Sequence, residues 1–268
     1  ISMRRSVGVV VLWSAVGAAM AAPPAGTVIR DCPECPEVVV LPIGVLTLNS
    51  LKGPGGAFSL GGFAKVLATP EYLQAIGNTV LLSSAVTLCA VALGAPLAYL
   101  VARFDFPGKR WLAVLPLATI VIPEVIVGQS WLMVLGNNGL VSNALRELGV
   151  PVPSFYGWTG LVFSMTLVYY TYIYLGVLAA LRGFDGQLEE ASLSLGATPA
   201  ATRWKVLLPT VAPAILVNAL VVFTLAVGNF ALSSMLGGGV PLLSVLTYSL
   251  FVSEVGGDPV LQSSLSVI

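Results

Sequence analysis

Apolar residues in this chain come in runs too long and too continuous for strand alternation or a single amphipathic stripe, and polar residues cluster in the short gaps between them. Crossing a hydrocarbon layer of about 30 Å takes about 20 residues of helix. The runs Gly77 to Val101, Trp111 to Leu135, Trp158 to Leu181 and Val211 to Leu232 meet that length. An earlier run, Val7 to Ala19, follows Arg4 and Arg5 and gives way to the small residues up to Ala22; it reads as a cleaved signal peptide or as a retained first span, and both place residue 23 on the extracytoplasmic side. Val38 to Leu51 is a further apolar piece. Val260 to Ile268 reads as the opening of one more span, because so short a helix rises only about 13 Å. The expected fold is all-α, a polytopic membrane helix bundle of about five spans plus a truncated last one.

The connections carry the polar and turn-forming residues. Residues 52–76, with Gly53-Pro-Gly-Gly56 and Thr69-Pro-Glu-Tyr72, predict a loop holding a short amphipathic helix. Residues 136–157 predict a polar loop, and the segment from Gly237 to Asp258 an extracytoplasmic one. Arg103-Phe-Asp-Phe-Pro-Gly-Lys-Arg110 carries three cations and marks a cytoplasmic turn. Of the 12 Lys and Arg, this arrangement puts Arg4, Arg5, Arg103, Lys109, Arg110, Arg182, Arg203 and Lys205 inside and Arg30, Lys52, Lys65 and Arg146 outside, the positive-inside sense.

Residues 182–209 form a polar island between two apolar runs. Asp185 is placed to cap a first short helix, Glu189 and Glu190 lie near its positive end, and Gly196 lets it stop. Thr198 is an N-cap for a second short helix, with Pro199 at its first position and Arg203 and Lys205 toward its far end. Glu190-Ala191-Ser192, Gly196-Ala197, Trp204 and Leu208-Pro209 resemble the EAA loop of ABC-importer permeases. The resemblance implies a cytoplasmic coupling element that docks on an ATP-hydrolysing subunit, with Glu189, Glu190, Ala191, Gly196, Ala197, Leu208 and Pro209 as its residues. It further implies an ABC ATPase dimer, a second permease subunit and an extracytoplasmic solute-binding protein as partners, in a bacterial inner membrane. On this basis residues 1–22 are a signal-like or first membrane segment, 23–41 an atypical Cys/Pro segment, and 42–268 the permease domain.

Composition agrees and removes other classes. The 268 residues are 57% hydrophobic and 9% charged, where soluble domains carry about 25% charge, so lipid is the expected surrounding. Lys plus Arg and Asp plus Glu are both 12, which offers no basic surface for nucleic acid. Histidine is absent and Cys32, Cys35 and Cys89 are the only cysteines, so a His-based triad, a His-rich metal site or a disulfide framework cannot be built. Gly108-Lys109-Arg110 lacks the upstream glycine and the following hydroxyl of a phosphate-cradling loop. No enzyme activity and no cofactor are expected of this chain; ATP is bound by the partner.

Glu124 is the acidic residue placed well inside a span, where a carboxylate costs about 2.5–3.5 kcal/mol, and it is expected either to face a substrate path or to be satisfied beside Pro123 by freed backbone donors or Gln129. Ile122-Pro-Glu-Val-Ile-Val-Gly128, Leu181-Arg-Gly-Phe-Asp185 and Phe223 to Ser234 resemble the spermidine/putrescine branch, which implies a polyamine-like solute with Glu124, Gln129 and Asn229 on its path. Where that branch tends to have acidic residues this chain has Gly228-Asn229, and its loop from Asn137 to Ser154 is similar to ferric-iron, thiamine and phosphonate relatives. Tyr169, Tyr170, Tyr172 and Tyr174 are read mainly as packing residues, since neighbouring helical positions point in different directions. Ala85, Ala90, Ala92, Gly94 and Ala95 permit close helix contact. Residues 30–42, with Cys32-Pro-Glu-Cys35, resemble the start of a formylglycine-generating-enzyme-like domain, which opens two alternatives: a secreted enzyme-related fragment, or a nonfunctional chimera with an altered first helix.

Overall fold

The computed structural model of the protein describes residues 35–51, 58–252 and 259–267. The signal-like segment 1–22 and Cys32 lie outside the described residues. The chain divides into a unit over Ile1–Val45 and a larger one over Leu46–Ile268. In the first, a helix, α1 (Cys35–Ser50), begins within the Cys/Pro segment; Pro36 falls in its opening turn, where no backbone N–H is needed.

The larger unit is an all-α bundle. Its elements are α2 (Gly61–Ala68), α3 (Pro70–Arg103), α4 (Lys109–Val121), α5 (Glu124–Leu135), α6 (Leu140–Glu147), α7 (Trp158–Arg182), α8 (Gly186–Ser194), α9 (Pro199–Val227), α10 (Ala231–Leu236), α11 (Leu243–Val252) and α12 (Pro259–Val267). The apolar stretch of α7 is 67% buried, against 28% for α3 and 17% for α9. An apolar helix buried on most sides is enclosed by others, so α7 is the axis; α3 and α9 pack on it and turn bare apolar faces outward, as lipid-facing helices do.

The buried face of α3, which meets α7 at Gly94, runs Ala75, Thr79, Leu82, Val86, Ala90, Gly94, Ala98 and Val101, a spacing of three and four that places them in one row. At Gly94 an added Cβ would lie 2.6 Å from the Tyr170 carbonyl oxygen and 2.9 Å from Ile173 Cβ, so the two helices approach there as only glycine allows. Of the small residues expected to permit close contact, Ala90 and Gly94 are in this seam and Ala92 faces outward.

Several expected boundaries differ. The single span over Trp111 to Leu135 is two helices, α4 and α5; between α4 and the segment Glu124–Glu147, which runs on through α6, the bend is 108°. Pro123 lacks an N–H and pushes Ile122 into an extended conformation (φ −81°, ψ 124°), which ends α4. The span expected to Leu232 stops at Val227, and Gly228-Asn229-Phe230 separates it from α10. Thr69 to Tyr72, expected in a loop, instead opens α3, with Pro70 in the first turn. The loops expected over 136–157 and 237–258 contain α6 and the apolar α11. Among the described residues, three helices are long and apolar enough to cross a membrane, or four with the bent pair; the first of the expected spans lies outside them.

Candidate functional site

The polar island folds as its caps dictate. The amide of Gln187 donates to Asp185 Oδ1 at 2.9 Å, starting α8. At the other end Gly196 adopts φ +88°, Gly196 N donates to the Leu193 carbonyl (2.9 Å) and Ala197 N to the Ser192 carbonyl (3.2 Å), the bonds of a glycine-terminated helix end. Ala201 N then donates to Thr198 Oγ1 at 3.2 Å to start α9, with Pro199 at its first position. The second helix is not short, however. It passes through a π-turn at Arg203–Leu207, where Leu208 N donates to the Arg203 carbonyl, and continues without a break into the membrane-length part of α9. Pro209 has no N–H for the Lys205 carbonyl, which accounts for a looser turn at that point.

The corner is tied down at a few points. Ser192 Oγ and Thr202 Oγ1 are 3.0 Å apart across the Gly196 bend. Glu189 Oε2 pairs with Arg103 Nη2 at 2.8 Å, and the Arg103 guanidinium lies 5.5 Å from the centre of the Phe184 ring. Glu190 and Ala191 are exposed, Ala197 is half-buried, and Leu188, Leu193, Leu195 and Trp204 leave apolar surface bare around them. Leu208 and Pro209 are exposed on the next turns of α9. In the neighbouring turn Lys109 Nζ lies 2.8 Å from Asp105 Oδ1, and that hydrogen bond, then the lysine's charge, holds the Asp105 carboxyl below the usual range.

A second cluster forms where two helices are broken. Glu124 is the first residue of α5, after the Pro123 break, and Asn229 occupies the break between α9 and α10. Asn229 Nδ2 donates to the Glu124 carboxylate and to Tyr169 Oη (2.7 Å). Leu232 N donates to Asn229 Oδ1 at 2.9 Å, which fixes the way the amide faces, and Ser244 Oγ donates to the Asn229 carbonyl at 2.9 Å. Gln129, expected as a partner of Glu124, is exposed and takes no part; Asn229 and Tyr169 replace it. Glu124 itself is half-buried. A cavity of about 650 Å³ adjoins the cluster, lined by Gly228, Phe230, Ser244, Thr247 and Tyr248 among others. Tyr170 and Tyr174 are buried, and Tyr174 Oη donates to the Ala113 carbonyl at 3.2 Å, tying α7 to α4. Neither Tyr169 nor Arg103 was marked in the sequence as a partner of these sites. The cation count pointed to the side of the membrane on which Arg103 lies and to nothing finer.

Comparison with known proteins agrees with this arrangement. Residues 90–256 match the family described as "Binding-protein-dependent transport system inner membrane component". A Salmonella typhi protein named as a 2-aminoethylphosphonate transport system permease is 26% identical over 219 residues, covering 80% of this chain and 75% of its own length. A Haloferax volcanii protein named as a molybdenum ABC transporter permease is 32% identical over 197 residues, 74% of this chain and 68% of that one. A solved bacterial ABC transporter involved in the import of the acidic polysaccharide alginate shares the fold, with a TM-score of 0.64 at 19% identity over 86% of this chain and 84% of that one. With the match covering most of the chain and the capped corner and apolar bundle in place, the chain belongs to the binding-protein-dependent transport system inner membrane component family, as a membrane permease and not an enzyme.

Proposed function

We propose that this ABC-importer permease moves a small solute bearing a protonated amine from periplasm to cytoplasm across a bacterial inner membrane. A separate ATPase dimer, which alone binds ATP, engages the α8 corner through Glu190 and the bare apolar surface around it, with a second permease subunit and an extracytoplasmic binding protein completing the importer. The observation that carries the solute class is Glu124, a half-buried carboxylate held by Asn229 at a helix break. The eight cations of the described residues, Lys65, Arg103, Lys109, Arg110, Arg146, Arg182, Arg203 and Lys205, lie instead in the short helices or in the first or last two turns of the long ones. Such a site attracts an ammonium group and offers an oxyanion no counter-charge. Polyamines meet that requirement. The amine of 2-aminoethylphosphonate, the compound in the name of the Salmonella typhi relative, meets it too, with its anionic phosphonate turned away from Glu124. The molybdenum relative favours the second reading, a permease for an oxyanion.

The experiment is uptake in vesicles holding the full importer, comparing putrescine, 2-aminoethylphosphonate, sulfate and molybdate, with wild type and Glu124→Gln. Uptake of the amine-bearing solutes, weakened selectively by the variant, is expected. Uptake of sulfate or molybdate alone, or amine uptake indifferent to Glu124→Gln, overturns the assignment.

A further inference from the structure

Helix α8 has no buried residue, so its pose is not set by side chains packed into the bundle. Its two ends are joined covalently to α7 and α9. Its flank is held from a third helix, by the last residue of α3. The Arg103 guanidinium reaches Glu189 in the first turn of α8 at 2.8 Å and lies over Phe184, just ahead of the Asp185 cap. One side chain thereby grips the α7–α8 turn on both sides of the cap, with the paired side chains 28% and 30% exposed. The planar fork of a guanidinium fixes direction as well as distance, which an ammonium would not.

We infer that the Arg103–Glu189 pair, steadied by Phe184, sets the pose of α8 and carries its displacement into α3, so that Arg103 is a positioning residue for coupling. The inference rests on α8 being the element the ATPase engages. Chain connections link α8 to α7 and α9, helped at the α9 side by the Ser192–Thr202 hydrogen bond; the ion pair adds α3, so that all three long helices follow α8. Because a pair this exposed adds little stability, its contribution is one of geometry.

Cys89, exposed on α3, is a native attachment point for a spin label. With Cys32 and Cys35 replaced by serine and a second label introduced by Gln187→Cys on α8, the distance between labels is measured by electron double resonance on the full chain in lipid nanodiscs. A single narrow distance is expected with the pair intact, its loss in Arg103→Gln and in Glu189→Gln, and its return in the swapped variant Arg103→Glu with Glu189→Arg. A narrow distance retained in both single variants overturns the inference, and so does a swap that fails to restore it. Glu189→Gln, a near-isosteric surface change, serves if Arg103→Gln does not fold. In vesicles with the ATPase and binding protein, solute moved per ATP hydrolysed is expected to fall in the single variants and recover in the swap, read with putrescine and 2-aminoethylphosphonate. A ratio unchanged in the single variants removes Arg103 from coupling. If neither solute moves with wild type, the assigned solute class fails, and the label distances still decide the role of Arg103.

Discussion

The side-chain amide of Asn229 donates to the carboxylate of Glu124, 105 positions earlier in the chain, and in doing so joins the break before α5 to the break after α9. The same amide serves Tyr169 and accepts from Leu232 N, and Asn229 is only 5% exposed. Asn229→Ala strands these groups, and a buried polar group left unsatisfied costs about 1–3 kcal/mol. A lowered melting midpoint in detergent is expected for Asn229→Ala. Asn229→Asp should do worse, since it sets a second carboxylate against Glu124. Equal midpoints for wild type and both variants would remove the cluster from the stability of the bundle.

Gly94 and Gly77 lie on the same helix and should respond oppositely. A Cβ at Gly94 meets the Tyr170 backbone, whereas at Gly77 it meets nothing within 4 Å. Gly94→Val is expected to destabilise by about 1–3 kcal/mol through overpacking. Gly77→Ala is expected to be neutral or to stabilise by up to about 1 kcal/mol through helix propensity. Thermal unfolding of the two purified variants checks the pair.

Gly196 sits at φ +88° with open space around it, so the cost of a side chain is conformational. A β-branched residue there loses about 1–2 kcal/mol from the left-handed backbone. Gly196→Val is expected to insert and fold normally yet to uncouple ATP hydrolysis from uptake, with Gly196→Asn milder. Uptake at the wild-type rate in Gly196→Val vesicles would show that the bend is dispensable.

Asp105 supplies a pH prediction. Lys109 depresses its carboxyl in the folded state, so the stabilisation is present above the unfolded-state pKa and is lost as pH falls through the lower folded one. Lys109→Ala is expected to return Asp105 to the usual carboxylate range, seen in its carboxyl-carbon NMR titration, with little change in melting midpoint. A titration identical in wild type and variant would mean that the contact does not persist in solution.

What could be read from the residues was local. Asp185, Gly196, Thr198 and Pro199 determine caps by their own chemistry, and all act where their order in the chain predicts. Pro123 is visible too, but hydrophobicity persists from Trp111 to Leu135, and only backbone geometry reveals the sharp bend beside it. Continuity of apolar residues cannot report a turn that lipid and neighbouring helices tolerate. The partners of Glu124 and Glu189 were hidden for another reason. Asn229 and Arg103 are distant in the chain, and tertiary packing alone brings them near.

The unbroken course of α9 has a mechanical consequence. At Gly176 of α7 an added Cβ would lie 2.0 Å from Asn218 Nδ2 of α9, a place where the rod leans closely on the axis helix. Taken as a fulcrum, that contact leaves an arm of about 28 Å toward Pro199 and one of about 14 Å toward Val227, at 1.5 Å per residue. A push on the Pro199 end is then delivered beside Asn229 in the opposite direction and at about half its size, the gearing of a lever whose short end rests on the polar cluster.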